Sequence, residues 1–180
     1  MLLTSHTALE PSAWVTRWAH LIVPAGRVLD VACGSGRHLR WLAAQGFTVT
    51  GVDRDAAALA PLGVVGRTVV ADIENAAWPL AGERFDAVIV THYLWRPLWP
   101  ALRASLAQGG VLIVETFALG NEAFGKPSNP DFLLRPGELL DACRGLHVVA
   151  FEDGVLEAPK RRVQRIAAVH ATAGPALHPL

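Results

Sequence analysis

Three aspartates stand where apolar segments of the sequence end: Asp30, Asp53 and Asp72. Each apolar segment is typical of a strand that is buried on both faces of a parallel sheet. A fourth predicted strand ends in the residues Thr91, His92 and Tyr93. Ligands of open α/β sheets bind beyond the carboxyl ends of their strands. One carboxylate at a strand end carries little information, but distinctive residues at four successive ends predict a ligand-binding edge.

A glycine-rich turn follows the first of these aspartates. Gly34, Ser35 and Gly36 allow the backbone to turn tightly and to approach a ligand without a Cβ in the way. A dinucleotide-binding turn would carry a third glycine and face a diphosphate, but Leu39 occupies that position. Asp30 would also repel a diphosphate, whereas it suits a ligand that carries positive charge. The alternative is a tight strand-to-helix turn that binds nothing.

Asp53 and Asp72 are placed to bind the two halves of a nucleoside. A carboxylate at the end of the second strand can accept hydrogen bonds from both ribose hydroxyls. Asp72, which Ile73 follows, can accept one from the amino group of adenine while a backbone N–H meets a ring nitrogen. Two alternatives stay open: Asp53 caps a helix that begins near Asp55, or Asp72 is a solvated loop residue.

The elements that must position these residues alternate along the chain. Strand patterns cover residues 27–32, 47–53, 68–72, 85–91, 111–117, 147–156 and 162–170. Helical spacing covers residues 13–22, 37–45, 55–59, 99–107 and 136–143. This alternation predicts a parallel sheet with right-handed crossovers, and the short last connection predicts a hairpin. We therefore expect an α/β fold: a single doubly wound, mostly parallel seven-stranded sheet with an antiparallel C-terminal hairpin and helices on both faces.

Length and composition fit one domain. The 180 residues are 52% apolar and 18% charged, which is enough apolar surface to form a core. Within a single domain, 1–180, we expect an N-terminal helix at 12–24, a substrate lid at 118–135 and a tail at 171–180. Lys and Arg together number 16, as do Asp and Glu. Because nucleic-acid binding usually needs a basic excess, we expect no nucleic-acid partner.

Cysteine usage and the absence of targeting signals predict a cytoplasmic protein. Cys33 and Cys143 lie far apart and match no metal-ligand spacing, so no metal is expected. No basic stretch followed by an apolar core is visible before Pro11. No apolar run approaches the length of a membrane span, so no membrane partner is expected. The oligomeric state stays open.

Four stretches of the sequence resemble the successive motifs of class I (Rossmann-like) S-adenosylmethionine-dependent methyltransferases. They are residues 28–36, 51–55, 71–75 and 85–90. The resemblance extends over residues 28–117, and the predicted hairpin agrees with the end of the family's sheet. Small bacterial members of the tellurite-resistance type are similar in length and in the Gly-x-Gly-Arg pattern that begins at Gly34. The resemblance implies an enzyme whose cofactor is S-adenosylmethionine.

The resemblance also implies which residues bind this cofactor. The glycine turn would line the methionine moiety, while Asp53 would hold the ribose and Asp72 the adenine. Thr91 and His92 would lie near the reactive sulfonium. The expected cofactor-binding residues are Asp30, Ala32, Gly34, Gly36, Asp53, Arg54, Asp72, Ile73 and Thr91.

The predicted reaction is methyl transfer to a nucleophilic atom of a small soluble acceptor. The sulfonium already makes the methyl group reactive, so alignment is the main contribution of the protein. A general base matters only if the acceptor must lose a proton, and the candidates are His92 and Glu115. The candidate acceptor-binding residues are Tyr93, Arg96, Thr116, Asn121, Phe124 and Arg135.

Two other function classes stay open from the sequence alone. A non-catalytic module that binds S-adenosylmethionine and regulates a partner would have the same cofactor half. A nicotinamide-dependent oxidoreductase is disfavoured by Asp30 and Leu39. The sequence also lacks the Asn-Pro-Pro-Tyr-like stretch that base-methylating enzymes usually carry after the fourth strand, and no cysteine pair is placed for attack on a pyrimidine carbon.

Overall fold

The computed structural model describes residues 10–171. The predicted tail, residues 171–180, lies outside this range except for its first residue. Within the range, no helix combines the length and the apolar character that crossing a membrane requires.

The predicted N-terminal helix is present but ends early. It consists of α1, Ala13–Trp18, and a following 3₁₀ turn, Ala19–Leu21. Ser12 caps α1, because its side-chain oxygen accepts a hydrogen bond from the backbone N–H of Trp14 at 3.1 Å. The helix stops before the predicted residue 24, since Pro24 disfavours helical backbone in the residue that precedes it.

Seven strands form one sheet. They are β1 Arg27–Val31, β2 Thr48–Asp53, β3 Arg67–Val70, β4 Phe85–Thr91, β5 Leu106–Phe117, β6 His147–Glu157 and β7 Lys160–Val169. Their order across the sheet is β3-β2-β1-β4-β5-β7-β6. The first five strands pair in parallel, and β7 pairs antiparallel with both β5 and β6. The predicted fold class is confirmed, and the strand order reverses at β1 and β4, where such sheets bind ligands.

Short helices connect the strands. They are α2 Arg37–Ala44, α3 Ala56–Leu59, α4 Trp99–Ala104 and α5 Glu138–Ala142. The predicted helix 99–107 is too long, because β4 extends its pairing across a bulge so that Phe85 lies opposite Leu106. That pairing draws residues 106 and 107 into β5.

Apolar side chains fill both faces of the sheet. On one face, Trp14 and Trp18 of α1 are almost fully buried. The indole N–H of Trp14 also donates to the carbonyl oxygen of Ile166 in β7 at 3.1 Å. On the other face, α4 and α5 pack through Leu102 and Leu139. With both faces covered, the carboxyl ends of β1 to β5 are the edge at which a ligand can reach the sheet.

Candidate active site at the strand ends

The turn after β1 has an unusual backbone. Ala32, Gly34 and Gly36 all adopt positive φ angles, of 53°, 53° and 74°. For Ala32 this left-handed conformation costs on the order of 1 kcal/mol or more, and such residues cluster at functional sites. A Cβ added to Gly36 would meet the Leu62 side chain at 2.5 Å, whereas one added to Gly34 would meet nothing within 4 Å. Packing therefore requires Gly36, while the space beside Gly34 is open to a ligand.

Asp30 ends up beneath this turn as a buried carboxylate. The residue is 1% exposed, and neither of its oxygens accepts a hydrogen bond from any residue within 10–171. His38 Nε2 accepts a hydrogen bond from the backbone N–H of Ser12 at 3.1 Å. A neutral His38 therefore carries its proton on Nδ1, which lies 3.5 Å from Asp30 Oδ2. Buried polar groups are normally hydrogen-bonded, so this carboxylate suits a positively charged ligand group.

Asp53 organises the glycine turn from the end of β2. Its Oδ2 accepts a hydrogen bond from the backbone N–H of Gly34 at 2.8 Å, and its Oδ1 accepts one from that of Asp55 at 2.9 Å. The alternative in which Asp53 caps the next helix is wrong, because Asp55 caps α3. A carboxylate oxygen has two lone pairs, so each oxygen of Asp53 can still accept a ribose hydroxyl.

Asp72 is exposed and shapes the turn after β3. Its carboxylate accepts hydrogen bonds from the side-chain and backbone N–H groups of Asn75 and from the backbone N–H of Glu74. These bonds, the one from the Asn75 side chain foremost, lower the pKa of Asp72. These contacts support the alternative in which Asp72 is a solvated loop residue. Asp72 also lines a cavity at the strand ends.

Two cavities lie at this edge, one on each side of Ala32. The strand-end cavity has a volume of about 270 Å³, and its lining includes Ala32, Asp53, Arg54, Ala71, Asp72, Ile73, Glu74, Tyr93 and Phe132. The glycine-turn cavity has a volume of about 290 Å³, and its lining includes Ala32, Cys33, Gly34, Ser35, Arg37, His38, Thr91 and His92. The structure thus brings together most of the residues that the sequence predicted to bind one ligand.

Arg37 is a site residue that the sequence reasoning missed. Its guanidinium Nη2 lies 3.5 Å from both Thr91 Oγ1 and His92 Nδ1, inside the glycine-turn cavity. Desolvation by burial lowers the pKa of Arg37, yet the group stays cationic because an arginine pKa lies so high. The available signal was the arginine that directly follows the second glycine of the turn.

His92 follows β4 with a positive φ of 54°. Its ring packs on Phe117 with 5.0 Å between centroids, and its Nε2 lies 3.8 Å from Glu115 Oε1. Burial and the Arg37 guanidinium lower the pKa of His92 to about 4. The imidazole is therefore neutral near pH 7, and a base with such a low pKa is weak.

Glu115 is not placed as a free base. It is buried, and its carboxylate lies 3.6 Å from Arg161 Nη2 and 3.4 Å from Arg165 Nη1. Arg165 also bonds Glu152 on β6, at 2.6 Å. This arrangement disfavours the predicted role of Glu115 in proton transfer, since a buried carboxylate between two arginines acts as their counter-ion.

A third space, the aromatic cavity, adjoins the other two. Its volume is about 250 Å³, and its lining includes Glu74, His92, Tyr93, Leu94, Thr116, Phe117, Pro127 and Phe132. It shares Glu74, Tyr93 and Phe132 with the strand-end cavity, and His92 with the glycine-turn cavity. A molecule in the aromatic cavity would therefore lie next to the junction of the two other spaces. Within residues 10–171, no group of three or more His, Cys, Asp or Glu side chains could hold a metal ion.

Comparisons with known proteins agree with this geometry. Residues 28–110 match the family model of a methyltransferase domain. TehB of Haemophilus influenzae superposes with a TM-score of 0.72 at 21% identity, and the match covers 88% of this chain and 62% of TehB. A TehB-like SAM-dependent methyltransferase of Corynebacterium glutamicum gives 0.66 at 16% identity and 90% of each chain. An S-adenosylmethionine-dependent methyltransferase of Mesorhizobium loti gives 0.67 at 17% identity, with 89% of this chain and 99% of the other. No curated protein matches the chain.

The chain has the class I methyltransferase fold. The predicted resemblance is thereby confirmed, and the domain match supports the predictions of an enzyme and of S-adenosylmethionine as its cofactor. The chain spans less than two thirds of the length of TehB.

The residues of this methyltransferase fold suit the charges of S-adenosylmethionine. Asp30 does not line the glycine-turn cavity, but its buried carboxylate, 3.5 Å from His38 of that cavity, adds a negative charge that suits the methionine amino group, and Arg37 suits the methionine carboxylate. The strand-end cavity offers Asp53 to a ribose and the apolar side chain of Ile73 to a base. Positive and negative groups are thus present in the complementary arrangement that such a ligand requires.

Several predicted acceptor-binding residues of the methyltransferase fold serve its loop instead. Arg96 bonds Glu138 at 2.6 Å and donates to the carbonyl oxygens of Asp131 and Leu133. Asn121 is buried, donates to the carbonyl oxygen of Pro127 and accepts from a backbone N–H of β7. These bonds disfavour the predicted acceptor contacts of Arg96 and Asn121, because the polar groups of both residues hold residues 118–135 in place.

Of the other four residues predicted to bind the acceptor, two line the aromatic cavity and two do not. Tyr93 and Thr116 line the aromatic cavity, so their role in acceptor binding stays a prediction that this position favours. Phe124 is exposed and lies under the Lys160 ammonium at 5.2 Å from its ring centroid, and Arg135 is exposed. Phe124 and Arg135 are both absent from the lining of the aromatic cavity. Glu74 was missed, because nothing in its sequence neighbourhood distinguishes a turn residue from a cavity wall.

Proposed function

We propose that this protein transfers the methyl group of S-adenosylmethionine to a nucleophilic atom of a small acceptor bound in the aromatic cavity. The observation that carries the proposal is the shared wall: Glu74, Tyr93 and Phe132 border both the aromatic and the strand-end cavity. His92 joins the aromatic cavity to the glycine-turn cavity. An acceptor held there would therefore meet the centre of a ligand that spans the other two spaces.

The cofactor half of the proposal assigns a task to each residue. The negative charge of Asp30 beneath the glycine turn would attract the amino group, Arg37 would bind the carboxylate and Asp53 the ribose hydroxyls. Bound S-adenosylmethionine supplies a methyl group on a sulfonium, so the acceptor lone pair forms the new bond while the electrons of the methyl–sulfur bond stay on sulfur. The main contribution of the chain is then alignment, which is worth several kcal/mol, of order 7 or more in favourable cases.

The role proposed for His92 is that of a neutral wall. Its lowered pKa, about 4, keeps the ring uncharged beside a cationic sulfonium. A protonated ring there would repel the sulfonium. The same low pKa makes His92 a poor general base, so a proton that the acceptor must lose would not pass to this ring.

The loop 118–135 would close over the acceptor. Its ends are tied by Arg96 and Asn121, while Phe132 lines the aromatic cavity and is 45% exposed. An apolar side chain that is partly exposed at a cavity mouth can shut out water when a ligand fills the cavity. Proteolytic cleavage within the loop should fall when S-adenosylhomocysteine and an acceptor analogue are both bound.

A turnover assay tests the proposal. The protein is incubated with S-adenosylmethionine carrying a labelled methyl group and with sets of small acceptors, and labelled product is measured. Transfer to any acceptor supports the enzyme and contradicts a regulatory module. Cofactor binding without transfer to any acceptor would favour the regulatory alternative, and binding of NADH in a fluorescence titration would favour the oxidoreductase. A cytoplasmic location and the absence of a nucleic-acid partner stay predictions from composition.

A further inference from the structure

The walls of the aromatic cavity are mainly aromatic and aliphatic. Tyr93, Phe117 and Phe132 contribute aromatic rings, and Leu94 and Pro127 contribute aliphatic surface. Among the lining residues given above, Glu74 is the one carboxylate, and neither lysine nor arginine is present. A cavity of this composition favours a ligand with an apolar body and a positively charged or strongly donating group.

Glu74 is held so that one oxygen stays available. The hydroxyl of Tyr93 donates to Glu74 Oε1 at 3.2 Å, and within residues 10–171 no group donates to Oε2. Burial first, and then the charge of Glu74, raise the pKa of Tyr93. The Tyr93 hydroxyl therefore keeps its proton and fixes the orientation of the carboxylate.

No cation forms an ion pair with Glu74 within the described residues. Arg96 is engaged by Glu138 and by two loop carbonyls. Arg54 lines the strand-end cavity together with Asp72 and Glu74, but it forms no ion pair with Glu74 in the part of the chain that the structure describes. His92, which also lines the aromatic cavity, is neutral near pH 7 because burial and Arg37 lower its pKa to about 4. The negative charge of Glu74 thus acts on the aromatic cavity without an opposite charge in its wall.

We propose that Glu74 selects an amine as the acceptor, by accepting a hydrogen bond from the ammonium nitrogen while the aromatic rings pack around the organic body. The nitrogen then loses one proton, to water or to the Glu74 carboxylate, before its lone pair attacks the methyl group. This inference rests on the proposed function and names its acceptor class. A charge-assisted hydrogen bond is stronger than a neutral one, and aromatic faces attract a cationic nitrogen. A carboxylate ligand of the same shape would be repelled by Glu74 and would not make the cation–π contact with the aromatic rings.

The test compares three ligands of one shape on the protein loaded with S-adenosylhomocysteine. Phenethylamine, phenethyl alcohol and hydrocinnamate share a phenyl ring and a short chain but differ in charge. Calorimetry near neutral pH should find the amine bound roughly tenfold more tightly than the alcohol, which corresponds to about 1.4 kcal/mol. The carboxylate should bind most weakly of the three.

Glu74→Gln should remove the preference for the amine. We expect roughly tenfold weaker amine binding in this variant, while the affinity for the alcohol changes by no more than about twofold. Glu157→Gln is the matched control, because Glu157 is exposed at the end of β6 and is absent from the lining of the aromatic cavity. It should bind all three ligands as the wild type does.

Two results would overturn the inference. One is a wild-type protein that binds the alcohol or the carboxylate at least as tightly as the amine. The other is a Glu74→Gln variant that keeps the amine preference. Failure of the wild-type protein to bind S-adenosylhomocysteine at the loading step is a different result, which overturns the proposed function itself.

Discussion

Asp30 is the residue whose environment most needs a ligand. Its carboxylate is buried without a hydrogen bond, 3.5 Å from the imidazole of His38. Burying a carboxylate whose oxygens accept no hydrogen bond costs free energy, even with the Arg37 charge nearby. The chain therefore carries a local destabilisation that a cationic group bound at this site would relieve.

Replacement of Asp30 by asparagine should separate stability from binding. Asp30→Asn should raise the free energy of unfolding without ligand by about 1 kcal/mol, because a neutral amide costs less to bury than a carboxylate. It should also weaken S-adenosylhomocysteine binding by about 1.5–3 kcal/mol, since the charged partner of the amino group is lost. Urea unfolding and calorimetry measure the two effects. Unchanged affinity would contradict the role given to Asp30.

Asp53 should act on both the ribose and the glycine turn. Asp53→Ala should weaken S-adenosylhomocysteine binding by about 1.5–3 kcal/mol, roughly ten- to a hundredfold or slightly more. Asp55→Ala is a matched control, because Asp55 caps α3 and accepts no bond from the turn. The control should lose about 1 kcal/mol of stability and keep its affinity. Equal affinity losses in the two variants would remove the ribose assignment.

His92 should make stability depend on pH in a defined window. The unfolded chain protonates this histidine below its ordinary pKa of 6.5, whereas the folded protein keeps it neutral down to about 4. Stability is therefore present above pH 6.5 and is lost as the pH falls toward 4. Because the side chain is 34% exposed, solvent screening limits the loss to about 1–2 kcal/mol by roughly pH 5.

Comparison with His92→Asn isolates this contribution. Asparagine tolerates the left-handed backbone at this position, and it does not titrate. Urea unfolding at a series of pH values should show a smaller loss of stability for His92→Asn than for the wild type. Identical pH profiles for the two proteins would mean that His92 is not the titrating group.

At the scale of elements, the loop 118–135 depends on one arginine. Arg96 reaches from the turn before α4 to Glu138 and to the carbonyl oxygens of two loop residues. In Arg96→Ala, chymotrypsin should cleave the loop at Phe124 and Phe132 roughly tenfold faster or more. The reason is that charge-assisted bonds worth about 1.5–3 kcal/mol no longer oppose local opening of the loop. Arg103→Ala is the control, since the Arg103 guanidinium donates an exposed hydrogen bond to the backbone carbonyl oxygen of Arg144, outside the loop. Equal cleavage of the two variants would contradict the positioning role of Arg96.

The ends of strands and helices could be predicted from the sequence where residues only a few positions apart determine them. The sequence predicted Phe85–Thr91 without error and predicted the cap at Ser12, because apolar runs and capping residues act over a few positions. The glycine turn shows where prediction from neighbouring residues fails. Gly34 and Gly36 look alike in sequence, but only Gly36 is required by a packing neighbour, Leu62, which lies far along the chain.

At the scale of the whole molecule, the two halves of the candidate site differ in how far they can be predicted. The cofactor half follows from residues at strand ends, and parallel strands bring these to one edge. The aromatic cavity combines Glu74, Thr116 and Phe132 from three separate segments. No spacing rule connects them, and polar residues such as Arg96 near the same edge serve the loop instead.

Calorimetric titration of the wild-type protein with S-adenosylhomocysteine tests the central claim most directly. The strand-end and glycine-turn cavities and the charges at Asp30, Arg37 and Asp53 predict one site with a micromolar dissociation constant. Ligand at about a hundred times that constant should stabilise the protein by about 2.7 kcal/mol and raise its melting temperature. The absence of both heat and a thermal shift at millimolar ligand would contradict the claim that this fold binds S-adenosylmethionine.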